Sequence, residues 1–410
     1  MSINEIELND IQQSKLKEII NFSYNNIDFY KSKLLQKNIN LNNKINLSDL
    51  PFTTKDELQF HNIETLTFSN MDISNCIIRK TSGSTGKPLH IYVDRRAASI
   101  DRAVWLRALL LNGLSLFDKV AVLPNPDNVY RENWWFQKFR IFRRKYINVL
   151  DEFEKQINDL KNYKPDIIRS YPSHLLVLKD HIKEGDVNPR SVFTSAELLD
   201  KRSRDTIESM FSSELFDYYA TEEFNLIAWE CKEHDGYHVN SDNIVLEIVK
   251  DDVCVSPGEE GEIVLTSLNN HFMPLIRYQI GDIGVLKEES CSCGISLPLL
   301  EIIEGRKDDF LTAMNGRLVS PRSLSDVFQF PSAKYEGIKQ FQIVQERSDL
   351  INVFLVFNEK DLEHDRTIEI VEHKIKEILG SEMRVSFKIV DSLKKEHTGK
   401  TRKIISKMNK

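Results

Sequence analysis

The chain has 410 residues, of which 41% are apolar and 29% are charged, and its formal net charge is −7 at pH 7. This length and apolar content predict a soluble globular enzyme of two or three domains. Acidic and basic residues are interspersed, which argues against nucleic-acid binding, and no apolar run approaches the roughly 20 residues that span a bilayer. The first residues lack the apolar stretch of a signal peptide, so we expect a cytoplasmic protein without a membrane partner.

The first half of the chain has an α/β pattern. Apolar residues recur at helical spacing from residue 5 to about 36, and a second helix is predicted from Arg95 to Gly113. Short apolar runs that predict buried strands follow at 119–123, 166–170 and 191–194. Helices are predicted near 150–162, 173–183 and 200–211. Alternating strands and helices favour a parallel sheet.

The predicted secondary structure changes twice in the second half of the chain. Successive strand patterns from about 238 to 303 predict a β-rich subdomain at about 230–305. A compact α+β pattern follows, with strands near 340–344, 351–355 and 385–390 around a helix at 363–379. We place the domain boundary at Lys307–Asp309, which gives an N-terminal domain of 1–306 and a C-terminal domain of 307–410.

The most informative motif is a glycine- and hydroxyl-rich loop. It consists of Thr81, Ser82, Gly83, Ser84, Thr85, Gly86 and Lys87. Glycine lets backbone N–H groups approach an anion closely, hydroxyls add donors, and lysine adds positive charge. The loop therefore predicts binding of a nucleoside triphosphate, although an ordinary surface turn can have the same composition.

The loop differs from the Walker A motif of P-loop kinases. That motif has four residues between its glycines and a Ser or Thr after its lysine. Here two residues separate Gly83 from Gly86, and Pro88 follows Lys87. Because proline disfavours helix at the residue before it, a kinase that releases ADP is a weak alternative.

Four later segments follow the loop in a fixed order, namely 217–222 (DYYATE), 277–282 (RYQIGD), 305–309 (GRKDD) and 398–400 (TGK). Together they resemble the adenylate-forming superfamily of acyl-CoA synthetases and adenylation domains. The phenylacetate-CoA ligase and CapK-like branch is the most similar, by the segments 26–30 (NIDFY), 50–55 (LPFTTK), 171–173 (YPS) and 291–294 (CSCG). The resemblance implies a large N-terminal adenylate-forming domain with an α/β core and a small mobile α+β C-terminal domain.

The resemblance also implies roles near the nucleotide. Tyr218 would pack on adenine, Thr221 would meet phosphate, and Glu222 would bind Mg²⁺, which favours one or two carboxylates together with phosphate oxygens. Asp282 would accept the ribose hydroxyls. Two further nucleotide contacts are implied for Glu197 and Arg306. The chain departs from the family at Tyr219, where glycine is usual, and this places the adenine contact in doubt.

Residues of the C-terminal domain bear on catalysis. Lys400 resembles the lysine that bridges the carboxylate and the α-phosphate, and with Lys87, Thr221 and Glu222 it completes the implied catalytic set. Lys403 and Lys407 lie close to Lys400 in the sequence and are alternatives to it. Asp308 matches the residue about which the family rotates its C-terminal domain between the two half-reactions.

Four residues form a candidate zinc site, Cys231, His234, Cys291 and Cys293, because zinc prefers Cys and His ligands. His238 is an alternative to His234. Related proteins of the branch carry zinc at comparable positions, which implies a closed structural site here. The alternative is that reduced cysteines pack as small apolar residues.

These features predict an ATP- and Mg²⁺-dependent ligase that forms an acyl-adenylate from a small carboxylic acid and transfers the acyl group to a thiol, coenzyme A first. An amine acceptor, as in an amide synthetase, and a non-catalytic nucleotide-binding protein are the alternatives. Trp105 and the segment 134–136 (WWF) are candidates for an aryl pocket or for core. The oligomeric state, including a homodimer, is left open.

Overall fold

We describe the protein from a computed structural model. It describes residues 4–37, 47–70, 72–81, 89–123, 135–149, 151–179, 181–183, 185–304, 311–316, 318–319, 324, 328, 338–357, 364–393 and 402–408. Among these residues, no helix combines the length and the apolar character needed to cross a membrane.

The helices are α1 Glu5–Asn26, α2 Asp28–Gln36, α3 Lys55–Phe60, α4 Ile63–Leu66, α5 Arg95–Leu111, α6 Phe153–Tyr163, α7 Pro172–Leu178, α8 Lys201–Phe211 and α9 His364–Leu379. The predicted helical stretch at 5–36 is thus two helices, because Ile27 adopts extended backbone between them. Asn4 and Glu7 form a capping box at the start of α1. Asp94 caps α5 by accepting a hydrogen bond from the Ala97 N–H.

The strands of the N-terminal part are β1 Ile77–Lys80, β2 His90–Val93, β3 Lys119–Val122, β4 Arg143–Tyr146, β5 Ile167–Ser170, β6 Ser191–Ser195, β7 Glu214–Thr221, β8 Asn225–Glu230, β9 Tyr237–Val239, β10 Ile244–Lys250, β11 Val253–Cys254, β12 Glu260–Ser267, β13 Tyr278–Leu286 and β14 Leu299–Glu304. The remaining strands are β15 Leu311–Thr312, β16 Leu318–Val319, β17 Ile338–Arg347, β18 Leu350–Phe357, β19 Arg384–Ile389 and β20 Ile404–Ser406.

A mixed sheet organises the N-terminal part, with the order β11-β10-β12-β13-β14-β9-β8-β7-β6-β5-β3-β4. Strands β3 to β7 pair in parallel, and every pairing from β7 through β8 to β11 is antiparallel. The α/β pattern of the first half and the β-rich pattern of the second half are therefore parts of one sheet. Strand β7 is the junction between them.

Arg277 ties the β-rich part to the N-terminal segment. Its guanidinium donates to the carbonyls of Ser48 and Leu50, lies 3.1 Å from Glu247 Oε2, and stacks 4.1 Å from the ring centroid of Phe52. The segment 277–282 resembles a nucleotide-binding motif, but its first residue is a buried structural cation. A buried charge of this kind needs these partners to offset its desolvation.

The C-terminal part has its own core and a sheet of order β19-β18-β17-β20. Helix α9 covers this sheet with its buried residues Thr367, Val371, Ile375 and Leu379, which recur at helical spacing. The predicted α+β pattern at the C-terminus is confirmed by these elements, and β20 adds a strand that the sequence pattern did not indicate. The proposed domain boundary at Lys307–Asp309 lies outside the described residues.

Helix α8 contacts the C-terminal part at its first turn. Lys403 Nζ lies 2.5 Å from Asp200 Oδ2, and Arg202 Nη1 donates to the carbonyl of Phe328 over 2.8 Å. Asp200 also caps α8 by accepting from the Ser203 N–H. One carboxylate therefore begins a helix of the N-terminal part and anchors a lysine of the C-terminal part.

Candidate functional site

The candidate site lies where the parallel strands end. Strands β5 and β6 finish at Ser170 and Ser195, and β7 continues to Thr221 before it turns into β8. In open α/β sheets, ligands bind outside the carboxyl ends of the strands. The segments after β5, β6 and β7 contain several of the site residues that we predict from the sequence.

The base of the glycine-rich loop is pinned by Thr81 and Leu89. The Thr81 N–H donates to the Leu89 carbonyl, and the Leu89 N–H donates to Thr81 Oγ1, both over 3.0 Å. These bonds continue the antiparallel pairing of β1 with β2, which ends at Lys80 and His90. Thr81 is thus a buried residue that closes the loop, and the loop residues 82–88 lie outside the described part of the chain.

Tyr218 faces the core, which does not fit the expected contact with adenine. Its side chain is 1% exposed, and its ring centroid lies 5.3 Å from that of Trp105 and 5.4 Å from that of Phe193. Asn112 Nδ2 donates to its hydroxyl over 3.0 Å. Burial raises the pKa of Tyr218 well above its ordinary value. We therefore correct the prediction and treat Tyr218 as a core residue.

Tyr219 faces the opposite side of β7, because successive side chains of a strand alternate. Its hydroxyl donates to Asp282 Oδ2 over 2.5 Å. The contact joins two motifs that are 63 residues apart in the sequence. Tyr219 and Asp282 are both partly buried, so their side chains border the solvent-facing site.

Thr221 and Glu222 lie at the turn between β7 and β8. Thr221 Oγ1 accepts a hydrogen bond from the Phe224 N–H over 3.1 Å, which shapes the turn. Phe224 is buried and anchors the turn in the core. Glu222 is partly buried at the tip of the turn.

Glu197 and Ser173 link the segments that follow β5 and β6. Glu197 accepts hydrogen bonds from the Ser173 N–H over 2.9 Å and from the Ser173 hydroxyl over 2.8 Å. Ala196 has a φ of 71°, a conformation that favours glycine, and this sharp turn directs Glu197 toward α7. The backbone at Ala196 would therefore suit glycine better than alanine.

A buried network supports these segments from within the sheet. Asp217 accepts hydrogen bonds from the Thr194 hydroxyl over 2.5 Å and from the Tyr237 hydroxyl over 2.9 Å. Its backbone N–H donates to Glu230, which Arg204 holds through two short hydrogen bonds. Burial and the nearby Glu230 raise the pKa of Asp217 to about 7. The network couples β6, β7, β8 and α8 through polar side chains.

Several predicted site residues lie outside the described part of the chain. They are Ser82, Gly83, Ser84, Thr85, Gly86 and Lys87 of the loop, together with Arg306, Asp308 and Lys400. Their roles remain predictions from the sequence.

A second cluster lies where β8, β9 and the turn before β14 meet. It contains Cys231, His238, Cys291 and Cys293, and their ligand atoms all lie within 4.8 Å of one another. The Sγ atoms of Cys231 and Cys291 are 3.6 Å apart, and Cys293 Sγ is 3.3 Å from His238 Nε2. Burial raises the pKa of the Cys231 thiol to about 12 and lowers the pKa of His238, so the imidazole is neutral at pH 7.

His238, and not His234, completes this cluster, which corrects the predicted set. His234 has a φ of 51° in the turn after Cys231, and its ring lies 3.5 Å from both Glu214 and Glu230. Hydrogen bonding to Glu230 raises the pKa of His234. The His238 ring is oriented by Nδ1, 3.3 Å from the Leu297 carbonyl, which leaves Nε2 toward the thiols.

Three residues at the candidate sites were not selected correctly from the sequence. The sequence indicates a disruptive role for Tyr219 and makes His238 only an alternative ligand, and it includes Ser173 only as part of a motif. Strand alternation gives the signal for Tyr219, because two adjacent tyrosines in a strand must face opposite sides. The position of His238 in a strand is a signal for its direction, whereas the sequence carries no signal for the contact of Ser173 with Glu197.

Comparison with known proteins identifies a family model and several relatives that this chain resembles. Residues 311–407 match the family model described as the CapK C-terminal domain. The phenylacetate-coenzyme A ligase of Thermus thermophilus is 24% identical, over 84% of this chain and 80% of its own length. Protein CapK of Staphylococcus aureus is also 24% identical, over 97% of this chain and 88% of its own length. These relatives and the family model confirm the resemblance to the phenylacetate-CoA ligase and CapK-like branch of the adenylate-forming superfamily.

Solved structures of a CoA ligase share the fold of this chain. A 2-hydroxyisobutyryl-CoA ligase in the postadenylation state, in complex with 2-HIB-AMP, matches with a TM-score of 0.80 at 20% identity, over 99% of this chain and 91% of that chain. The same ligase in the thioesterification state matches with a TM-score of 0.63 at 21% identity, over 97% and 89%. The predicted fold class is confirmed.

Proposed function

We propose that this chain is an AMP-forming ligase that activates a small carboxylic acid with ATP and transfers the acyl group to coenzyme A. The contact between Tyr219 and Asp282 carries the proposal, because it brings two motifs of the adenylate-forming superfamily to one point at the strand ends. Relatives named phenylacetate-coenzyme A ligase align over most of the chain and support the same reaction.

In this proposal Asp282 and Tyr219 hold the nucleoside. The Asp282 carboxylate has the acceptor oxygens that two ribose hydroxyls require, and the Tyr219 ring offers an aromatic face for adenine. Tyr219 thus takes the role that the sequence assigned to Tyr218. The hydrogen bond from Tyr219 orients the carboxylate before ATP arrives, so less ordering is needed on binding.

The phosphates lie toward the glycine-rich loop. Thr81 fixes the start of the loop, and residues 82–87 supply backbone donors, hydroxyls and the Lys87 ammonium. Glu222 at the β7–β8 turn is the proposed Mg²⁺ ligand, and Thr221 shapes the turn that presents it. Mg²⁺ would neutralise phosphate charge when bound.

The chemistry needs two transfers. A carboxylate oxygen of the acid attacks the α-phosphorus of ATP, the bond to the bridging oxygen of the β-phosphate breaks, and pyrophosphate leaves. The coenzyme A sulfur then attacks the acyl carbonyl carbon, the thiol proton passes to solvent, and AMP leaves. Lys400 is the residue proposed to bridge the carboxylate and the α-phosphate in the first transfer.

The Cys231, His238, Cys291 and Cys293 cluster is a proposed structural zinc site. A tetrahedral ion with Zn–S bonds of about 2.3 Å requires sulfur atoms about 3.8 Å apart. The observed separation of 3.6 Å between Cys231 and Cys291 fits this requirement. Four protein ligands would close the site, so the ion would hold β8, β9 and the turn before β14 together.

Measurement of ATP–pyrophosphate exchange with Mg²⁺ and a panel of acids tests the proposed function. Exchange that depends on one class of acid supports adenylation, and AMP release on addition of coenzyme A supports thiol transfer. Consumption of the adenylate by an amine alone would favour the amide synthetase. ATP binding without exchange for any acid would favour a non-catalytic protein.

Two lysine variants provide a matched comparison for the same assay. K400Q should abolish exchange while the protein still binds ATP. K407Q serves as the control, because Lys407 pairs with Glu346 inside the C-terminal part over 2.7 Å. Equal activity of the two variants would contradict the role of Lys400.

A further inference from the structure

A small polar cavity adjoins the β7–β8 turn, and its side chains take no part in the proposed chemistry. Its charged and amide side chains come from separate parts of the chain, namely Arg79 on β1, Asp101 on α5, Glu223 on the turn, and Asn243 and Asn269 in the β-rich part. The cavity has a volume of about 20 Å³, which is the room of one water molecule. It is therefore too small for a substrate, and its side chains act on one another.

Arg79 and Asp101 form the ion pair of this cavity. Arg79 Nη2 lies 2.6 Å from Asp101 Oδ2, and the two side chains are only 15% and 12% exposed. The second carboxylate oxygen accepts a hydrogen bond from Asn243 Nδ2 over 3.4 Å, and Asn243 Oδ1 accepts one from Asn269 Nδ2 over 2.6 Å. A shielded pair is weakly screened by salt, and loss of one partner leaves the other charge unpaired. The carboxylate therefore holds the guanidinium in one place.

Arg79 lies at the entry to the glycine-rich loop. Strand β1 ends at Lys80, and Thr81 continues its pairing with β2 through Leu89. Alternation along the strand puts Arg79 and Thr81 on the same face, two residues or about 7 Å apart. Because Thr81 closes the base of the loop, a contact that fixes Arg79 also fixes that base.

Glu223 connects the same cavity with the two other segments of the candidate site. It follows Glu222, the proposed Mg²⁺ ligand, in the turn after β7. Glu223 Oε1 accepts a hydrogen bond from the Tyr278 hydroxyl over 3.4 Å, and Tyr278 begins strand β13, which carries Asp282. The loop base, the turn and the strand of Asp282 therefore approach one another at this cavity.

We propose that Arg79 is a positioning residue for the triphosphate of ATP. Its ion pair with Asp101 sets the base of the glycine-rich loop relative to the β7–β8 turn, so that the loop that starts at Thr81 meets the same phosphates as Glu222 and its metal. Arg79 acts through these segments, since Asp101 already binds its guanidinium. The inference rests on the proposed function and adds a residue that determines affinity for the two outer phosphates. Such preorganisation raises affinity because less ordering is left for the binding step.

Calorimetric titration of the full chain with ATP and with AMP, both in the presence of Mg²⁺, tests this proposal. AMP is the matched ligand, because it keeps the nucleoside and the α-phosphate and lacks the two outer phosphates. R79Q removes the guanidinium, R79K retains a positive charge, and D101N keeps the guanidinium but releases it. The double variant R79Q/D101N leaves no buried charge unpaired, so it keeps the test available if a single variant fails to fold.

R190Q is the control for loss of an arginine from an ion pair. Arg190 pairs with Asp118 over the same 2.6 Å. These two residues directly precede β6 and β3, so they lie at the opposite ends of the parallel strands from the candidate site. R190Q should lower the melting temperature and leave both nucleotide affinities within about twofold of the wild type.

R79Q and D101N should each weaken ATP binding by about tenfold and AMP binding by less than about twofold. R79K should retain part of the ATP affinity, and the double variant should bind ATP as weakly as R79Q. The loss in D101N separates positioning from direct attraction of phosphate, because the positive charge of Arg79 is still present in that variant. Unchanged or tighter ATP binding by folded D101N, or an equal loss for ATP and AMP in folded R79Q, would overturn the proposal.

The positioning role and the ligase function fail in different ways. Weaker ATP binding in D101N, without pyrophosphate exchange by the wild type for any acid, would support the role of Arg79 and refute the ligase function. Acid-dependent exchange by the wild type together with full ATP affinity in D101N would refute the role of Arg79 and leave the ligase function standing. Wild-type protein that binds no ATP would refute both.

Discussion

The Tyr219 hydroxyl donates a 2.5 Å hydrogen bond to Asp282 Oδ2 and so links the junction strand β7 to strand β13 of the antiparallel part. The adjacent Tyr218 makes its contacts on the opposite face, where Asn112 donates to its hydroxyl. Two neighbouring tyrosines thus serve different purposes. One borders the candidate nucleotide site, and the other fills the core beneath it.

This difference predicts opposite consequences for two matched variants. Y219F should weaken ATP binding by about threefold to tenfold, because Asp282 loses the donor that orients it. Y218F should leave ATP affinity unchanged and lower the melting temperature, because Asn112 loses a buried acceptor. Calorimetric titration with ATP and a thermal melt of each variant distinguish the two effects. Weaker ATP binding in Y218F alone would restore the original assignment of adenine to Tyr218.

The sequence predicted the architecture better than it predicted the direction of side chains. The periodic patterns located α5, α8 and α9 and the strands β3, β5 and β6, because spacing and apolar character are local properties. The assignment of Tyr218 was wrong because strand alternation defines two faces but does not say which face borders a ligand. His234 was selected on its spacing from Cys231, whereas the ring direction depends on Glu214 and Glu230, which the local pattern does not include.

The cysteine and histidine cluster predicts which histidine controls metal content. H238A and C293S should each lose most bound zinc and unfold at a lower temperature, because each removes one of four proposed ligands. H234A should retain zinc, because its ring contacts carboxylates instead. Metal analysis of the purified proteins by mass spectrometry provides the measurement.

C254S is the control for the cysteine variant, since Cys254 is exposed and lies outside the cluster. Zinc loss in H234A with full retention in H238A would refute the assignment of His238. Wild-type protein that contains no zinc and does not gain stability when zinc is added would refute the site itself.

The buried Asp217 predicts an unusual dependence of stability on pH. Its folded-state pKa of about 7 lies above the ordinary 3.8, so the folded protein binds this proton more tightly than the unfolded chain. The contribution of Asp217 to the free energy of unfolding should therefore fall as pH rises from about 4 to 7 and stay constant above that range. The effect is on the order of a few kcal/mol at most.

Denaturant unfolding at several pH values measures this contribution. D217N should remove the decline between pH 5 and 7.5, because an amide does not titrate in this range. The comparison is the difference in slope between the wild type and D217N, which cancels the titration of other groups. Parallel pH profiles for the two proteins would contradict the raised pKa of Asp217.

The ion pair between Lys403 and Asp200 predicts a selective effect on one half-reaction. The pair joins α8 to the C-terminal part and so holds the two parts in one arrangement. If the arrangement belongs to adenylation, K403Q should slow pyrophosphate exchange by about twofold to fivefold, because a partly exposed pair contributes at most about 1 kcal/mol. Transfer from a supplied acyl-adenylate to coenzyme A should stay unchanged or become faster.

Lys403 is the better position for this test than Asp200, because Asp200 also caps α8 and its loss would destabilise the helix. K407Q is the matched control, since Lys407 pairs within the C-terminal part.

An Asp308→Pro variant should have the opposite profile, with adenylation spared and transfer suppressed, if the chain rotates at that residue. Equal slowing of both half-reactions by K403Q would show that the ion pair supports stability alone. Opposite effects of K403Q and D308P would show that Lys403 supports the adenylation arrangement and that Asp308 is needed for rotation to the transfer arrangement.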